Sequence, residues 1–254
     1  MPDTRTARGP HPKDAECFAP RALPALRAAV AELSWLLDRG YPKKAALKLV
    51  GDRHALRDRQ RMAVQRCAAG DLDRRHRHER RVEAGALAGE SLAIDGYNVL
   101  LTVEAALSGG VLLLGRDGVL RDLTSMSGHY RRMRSTRSAL EEIAAFCSRA
   151  GSARLVWYFD RPISNSGRLK QTMDQLASEA GWPWDVRLVA SPDRTLVDSP
   201  SIIATADSGV LDRCERWFNL ARSVVETAVP DAWIVDLSGG STHPPECTQP
   251  RRRV

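Results

Sequence analysis

Long apolar runs are missing from this chain: no stretch of 18 or more apolar residues occurs, so no membrane-spanning helix is expected. The first residues, Met1 to His11, are polar and lack the apolar centre of a secretory signal, which makes the cytoplasm the expected location. Cysteine is sparse. Cys17, Cys67, Cys147, Cys214 and Cys247 are odd in number and include no Cys-x-x-Cys pair, which argues against a disulfide framework and against a structural zinc site. Gly-x-x-x-x-Gly-Lys and Gly-x-Gly-x-x-Gly are absent too, removing two common glycine-rich nucleotide loops. No internal repeat is visible.

What is present suffices for a folded protein. Hydrophobic residues make up 43% of the 254 positions, enough for one large domain or two modest ones. The net charge of +7 is unevenly placed, because residues 1–90 carry 19 Lys and Arg against 12 Asp and Glu, whereas residues 91–254 carry 19 of each. The basic character therefore belongs to the N-terminal part. Such asymmetry points to a polyanionic partner there and an acidic function in the remainder; a solvated Arg-rich surface would give the same count.

Residues 1–20 hold four prolines and little periodicity, and read as a disordered leader. Residues 21–70 read as a small all-α domain. Leu26, Val30, Leu33 and Leu37 line one face of a helix that stops near Gly40, and Pro42 suits the first turn of a second helix over Lys43 to Val50. A third helix turns Leu56, Ala63 and Cys67 inward and stops at Gly70. Residues 71–90 begin with a dense run of charges, Asp71 to Arg81, that has almost nothing to bury and predicts a solvated helix or linker.

From residue 91 to residue 238 the pattern becomes α/β. Leu92-Ala93-Ile94 ends in Asp95, and four further apolar runs read as strands: Leu155 to Phe159, Val186 to Ala190, Ile202 to Ala204, and Trp233 to Val235. Helical patterns separate them: Leu140, Ile143, Ala144 and Cys147; Leu169, Met173, Leu176 and Ala180; and Leu211, Cys214, Phe218 and Ala221. The alternation predicts a three-layer α/β/α domain with a mainly parallel sheet. Residues 239–254 read as a disordered tail.

Sites in open parallel sheets form outside the carboxyl ends of the strands. Asp95, Asp160 and Asp207 all occupy such ends. If their strands are neighbours, three carboxylates converge, and like charges packed together are costly without a cation. Mg²⁺ or Mn²⁺ is the expected occupant, since both take oxygen ligands. Each aspartate also has a structural alternative, because Asp commonly caps turns and helix starts after a strand. Asp212 could reach the same crevice or face solvent, and Asp236 reads as structural. Between the first two strands, Glu104, Asp117 and Asp122 are further acids, and Asp117 and Asp122 could equally pair with Arg116 and Arg121. The run Tyr130 to Arg137 could grip phosphates through Arg131, Arg132 and Arg134, or simply begin a helix. Trp182-Pro183-Trp184 could stack a base but reads better as packing.

Asp95-Gly96-Tyr97-Asn98 after an apolar strand, with Thr205-Ala206-Asp207-Ser208-Gly209-Val210-Leu211-Asp212 after a late one, resembles the PIN-like nuclease superfamily and its NYN branch. The resemblance implies a PIN-like fold in which Asp95 ligates Mg²⁺ or Mn²⁺, Asn98 supports the site, and Asp207 and Asp212 supply late acids. The family's middle acid has no unique counterpart, because Glu104, Asp117, Asp122, Glu141 and Glu142 compete for it, and Asp160 is an unusually prominent addition. The chain is also similar, over roughly residues 20 to 225, to an uncharacterised prokaryotic family, domain of unknown function 434. That similarity rests on Leu36-Leu37-Asp38-Arg39-Gly40-Tyr41-Pro42-Lys43-Lys44-Ala45-Ala46-Leu47, Val50-Gly51-Asp52-Arg53-His54, Ile163-Ser164-Asn165-Ser166-Gly167 and Asp212-Arg213-Cys214-Glu215-Arg216-Trp217-Phe218-Asn219.

The expected function is metal-assisted phosphodiester hydrolysis, with RNA favoured over DNA by the resemblance. Arg53, Arg57 and Arg61, with Arg59 and Arg66 on the same helical unit, would hold the nucleic-acid backbone. The main rival is a catalytically inactive nucleic-acid-binding or scaffold protein. A phosphatase is the lesser rival, because Asp95-Gly-Tyr-Asn is not the Asp-x-Asp start of haloacid-dehalogenase-like enzymes.

Overall fold

The computed structural model describes residues 9–124 and 135–239. The N-terminal part is helical: α1 (Asp14–Cys17), α2 (Leu23–Leu37), α3 (Lys43–Arg53), α4 (Asp58–Cys67) and α5 (Asp71–Arg80). Then follow β1 (Ser91–Asp95), α6 (Gly96–Leu107), β2 (Leu112–Leu114), β3 (Leu120–Asp122), α7 (Ser135–Arg149), β4 (Arg154–Asp160) and α8 (Ser166–Ala180). The chain closes with β5 (Trp184–Val189), α9 (Pro192–Val197), β6 (Ile202–Ala204), α10 (Ser208–Leu211), α11 (Leu220–Ala228) and β7 (Ile234–Asp236). Among the described residues, no helix is long and apolar enough to cross a membrane.

The main sheet has the order β5-β4-β1-β6, and every pairing in it is parallel. Strands β4, β1 and β6 read as apolar runs because both faces are covered, whereas the edge strand β5 carries Asp185 and Arg187 toward solvent. Leu155, Trp157 and Phe159 of β4 pack with α6, α7, α8 and α11, whereas Val156 and Tyr158 turn to the other face with Leu196 of α9 and Val210 of α10. The period of two along a strand places these side chains on alternate faces.

The last expected strand does not join that sheet. β7 pairs with β2, which also pairs antiparallel with β3, in a separate three-stranded sheet. The reason lies in the alternation of β2: Leu112 enters the main core, and Leu113 enters a second core with Val235 of β7 and Leu26, Val30 and Val64 of the helical part. The helical unit and the small sheet therefore share one interior.

Three further expectations change. The leader is helical at Asp14–Cys17, where Cys17 and Phe18 are buried in the second core and buried Asp14 pairs with Arg59. The continuous helix expected through Leu211, Cys214, Phe218 and Ala221 is broken into α10 and α11. Between them the chain is extended: Ile203 N–H donates to Arg216 O at 3.0 Å and Phe218 N–H to Ile203 O at 2.8 Å, continuing the pairing beyond β6. The charged stretch over α5 is not fully solvated, because Arg77 is only 3% exposed. At the end of α2 the expected stop holds, with Gly40 at φ +74°, a conformation that favours glycine.

Candidate functional site

Parallel strands bring their carboxyl ends to one edge of the sheet, and each strand of the main sheet is followed there by an aspartate. β1 ends in Asp95 and β4 in Asp160, Asp207 lies three residues beyond β6, and Asp193 lies in the first turn of α9, after β5. Asp160, Asp95 and Asp207 thus follow the adjacent strands β4, β1 and β6. All four carboxylates line a single cleft of about 700 Å³, which Asp122 from β3 also lines.

Asp95 is buried, and its Oδ2 accepts two hydrogen bonds: from Asn98 Nδ2 at 2.6 Å and from the Thr205 hydroxyl at 2.7 Å. Its Oδ1 receives no hydrogen bond from the described residues. Burial pushes the Asp95 carboxyl up to about 7; the bonds from Thr205 and Asn98 oppose this, and the charges of Asp207 and Asp193 add to it. Gly96 is demanded by close approach, because a Cβ there would run into the Phe159 ring, and Tyr97 meets the same ring edge-on at 4.9 Å between centroids. Each residue of Asp95-Gly96-Tyr97-Asn98 is thus accounted for by contact around β1 and β4.

Asp207 caps α10, its Oδ1 accepting from Gly209 N at 2.7 Å and Val210 N at 3.1 Å. Its Oδ2 receives no hydrogen bond from the described residues. Thr205 joins the two aspartates, since the oxygen that donates to Asp95 also accepts the Asp207 N–H at 3.0 Å. Burial, then Asp193, raises the Asp160 carboxyl; burial, then Asp207, raises that of Asp193. These groups feel one another as like charges. Among the described residues, however, no three His, Cys, Asp or Glu side chains are drawn close enough together to hold a metal ion as they stand.

Asp212 is not brought to this cleft. Its Oδ1 accepts from Arg77 Nε at 2.7 Å. The other side of Arg77 donates to Asp117 Oδ2 at 2.5 Å, and Asp117 also receives Arg121 at 2.8 and 2.7 Å. Burial opposes the ionisation of Asp117, but Arg121 and Arg77 outweigh it and hold its carboxyl at about 2. Arg121 extends from this network to Ala206 O at 2.8 Å, so the buried ion chain braces the turn that carries Asp207. Of the other acids weighed for the middle position, Glu104 is buried against Thr136, Glu141 pairs with Arg137 at 2.8 Å, and Asp122 alone lines the cleft.

The arginines expected to hold nucleic acid are mostly occupied elsewhere. Arg57 pairs with Glu16, Arg61 with Asp52 at 2.8 Å and Arg53 with Glu32 at 3.5 Å, and none of them lines the cleft. Arg131, Arg132 and Arg134 lie outside the described residues. What the helical part does bring to the cleft is Lys43, Met62, Gln65 and Arg66. Lys43 and Asp193 escape a reading by motif, although each follows a proline at a helix start, in Pro42-Lys43 and Pro192-Asp193. The described cysteines are buried thiols; burial raises Cys67 and Cys147 to about 12, which leaves them unreactive. Trp182 and Trp184 pack on Trp157 and the main core.

Comparison with known proteins adds kinship without an activity. A family described as Domain of unknown function (DUF5616) matches residues 84–223, and one described as Protein of unknown function (DUF434) matches residues 25–80. The chain is 24% identical over 186 residues to an uncharacterized protein of Methanocaldococcus jannaschii, covering 73% of this chain and 88% of that one. No solved structure matches.

Proposed function

The chain belongs to the DUF5616 family, and we propose that the cleft built by that segment is the active site of a metal-dependent, PIN-like nuclease acting on RNA in preference to DNA. The observation that carries this reading is the geometry of Asp95: a buried carboxylate with one oxygen fixed by Asn98 and Thr205 and the other without a donor among the described residues, its carboxyl pushed up to about 7 by burial. Bound beside such a carboxylate, a cation would stabilise its ionised form. Asp207 repeats the pattern beside it, one oxygen capping a helix and the other receiving no hydrogen bond among the described residues.

Oxygen donors alone suit Mg²⁺ or Mn²⁺. Asp95 and Asp207 would hold such an ion, with Asp160 or Asp193 completing the set after side-chain adjustment. When bound, the ion would activate a water and offset the charge developing on the phosphate. Asn98 and Thr205 keep Asp95 in one orientation, and Arg121 fixes the backbone of the Asp207 turn. Asp212, committed to Arg77, acts through position alone.

The separation of the acids favours a second reading, a nucleic-acid-binding protein without catalysis. The two are told apart by incubating the purified chain with labelled single-stranded RNA and DNA in Mn²⁺, Mg²⁺ or EDTA, beside Asp95→Asn. Cleavage that needs the metal and disappears in the variant supports the nuclease; binding with no cleavage under any metal supports the second reading. Cleavage that persists in EDTA removes the mechanism.

A further inference from the structure

Among the described residues, three cationic side chains line the cleft, and two of them are already engaged. Arg121 gives its guanidinium to Asp117 and to Ala206 O. Arg66 donates to the carbonyl oxygens of Asp122 and Thr124. The Lys43 ammonium makes no ion pair and no hydrogen bond among the described residues, although the helical unit places it beside the carboxylates.

Lys43 also sits where electrostatics works against a cation. As the first residue of α3 it lies at the positive end of the helix dipole. Desolvation and then Arg121 push its pKa down, and Arg77 acts in the same direction. Asp207 and Asp212 attract it from a distance without pairing. An unpaired ammonium facing the cleft offers an arriving anion a direct charge-assisted partner, and with Arg66 and Arg121 it offsets part of the negative charge of the carboxylates there. Arg53, Arg57 and Arg61 offer no such opening, because each is paired with an acid within the helical part.

We propose that Lys43 is the phosphate-binding residue of this cleft, its ammonium taking a backbone phosphate of a single nucleic-acid strand that runs between the helical unit and the aspartates. That the anion is a nucleic-acid phosphate rests on the nuclease reading. That it belongs to a single strand follows from size, since about 700 Å³ falls in the range of pockets that enclose small ligands. The shared core of the helical unit and the small sheet fixes the start of α3 over the strand ends, so both matched segments contribute to one binding site.

The test is fluorescence anisotropy of a short labelled oligouridylate with the full chain in EDTA, where no cleavage occurs, over a series of salt concentrations. Lys43 lines the cleft and belongs to none of the packed cores, so substituting it leaves the interior intact. Lys43→Ala should weaken binding about tenfold, the size of one charge-assisted contact, and lower the slope of log affinity on log salt by about 0.7, the share of one single-strand phosphate. Lys43→Arg should keep the slope, and Arg57→Ala should match the wild type. Wild-type affinity and slope in Lys43→Ala, an equal loss in Arg57→Ala, or no binding by the wild type would each overturn the proposal. Because the readout is binding without metal, a chain that never cuts but loses this contact refutes only the nuclease reading. A chain that cuts with the slope unchanged in Lys43→Ala refutes only this one.

Discussion

The Thr205 hydroxyl donates to Asp95 Oδ2 over 2.7 Å, tying the turn after β6 to the end of β1 inside the protein. Through its backbone bond from Asp207, the same side chain sets the relation between both aspartates of the proposed site. Thr205→Val keeps the shape and removes both functions. It should cost about 1–3 kcal/mol for the buried groups left unpaired, and it should move the acid limb of the activity profile to higher pH, because a bond that favours ionised Asp95 is lost. Thr205→Ser should restore the profile; a profile identical in all three proteins would show that Thr205 does not tune Asp95.

The raised carboxyl makes Asp95 a cost to folding. Its folded value of about 7 lies above the ordinary 3.8, so the folded protein holds an extra proton between those limits, and stability falls as pH rises through that window. Above it the loss approaches about 4 kcal/mol. Asp95→Asn removes the penalty while its amide oxygen can still accept from Asn98 and Thr205. That variant should therefore withstand more denaturant than the wild type at about pH 8 and match it at acid pH. Equal midpoints across the range would contradict the burial argument.

Asp117, Arg77 and Arg121 form a buried unit with side-chain exposures of 1%, 3% and 8%. Asp117→Ala leaves two guanidinium groups without their shared carboxylate and should cost about 3–5 kcal/mol in chemical denaturation. The Asp207 turn should loosen with it, since Arg121 holds Ala206 O. A loss below about 1 kcal/mol would mean that water or Asp212 replaces the missing partner.

Gly96→Ala should destabilise by about 1–3 kcal/mol, because the new methyl meets the Phe159 ring. The pair Gly96→Ala with Phe159→Leu should recover part of that loss. If the double variant is no better than the sum of its parts, the clash lies elsewhere.

Much of this was legible in the sequence, and the exceptions have physical causes. Strands β1, β4 and β6 announce themselves as apolar runs because they are buried on both faces, and Asp95, Asp160 and Asp207 follow from their positions at strand ends. The small sheet was not legible, since Leu112 and Leu113 divide between two cores and the pattern does not say which. Trp217 and Phe218 keep helical spacing while lying in an extended segment, where backbone bonds to Ile203 and Arg80 override the periodicity. Arg77 looked solvated because its partners, Asp117 and Asp212, lie 40 and 135 residues away. Charge counting found the basic half but not which cation stays open to the site: Arg53, Arg57 and Arg61 pair within the helical part, and Lys43 is placed at the cleft by the tertiary fold.

The most direct measurement is a Mn²⁺ titration of the full chain followed by electron paramagnetic resonance, above and below the Asp95 pKa of about 7. The ion must displace the proton from Asp95, so wild-type affinity should fall as pH drops through that value. At about pH 8, Asp95→Asn and Asp207→Asn should each weaken binding by about tenfold or more, the loss of at least 1.4 kcal/mol. Wild-type Mn²⁺ affinity in Asp95→Asn, or affinity independent of pH, would contradict a metal site built on these two residues.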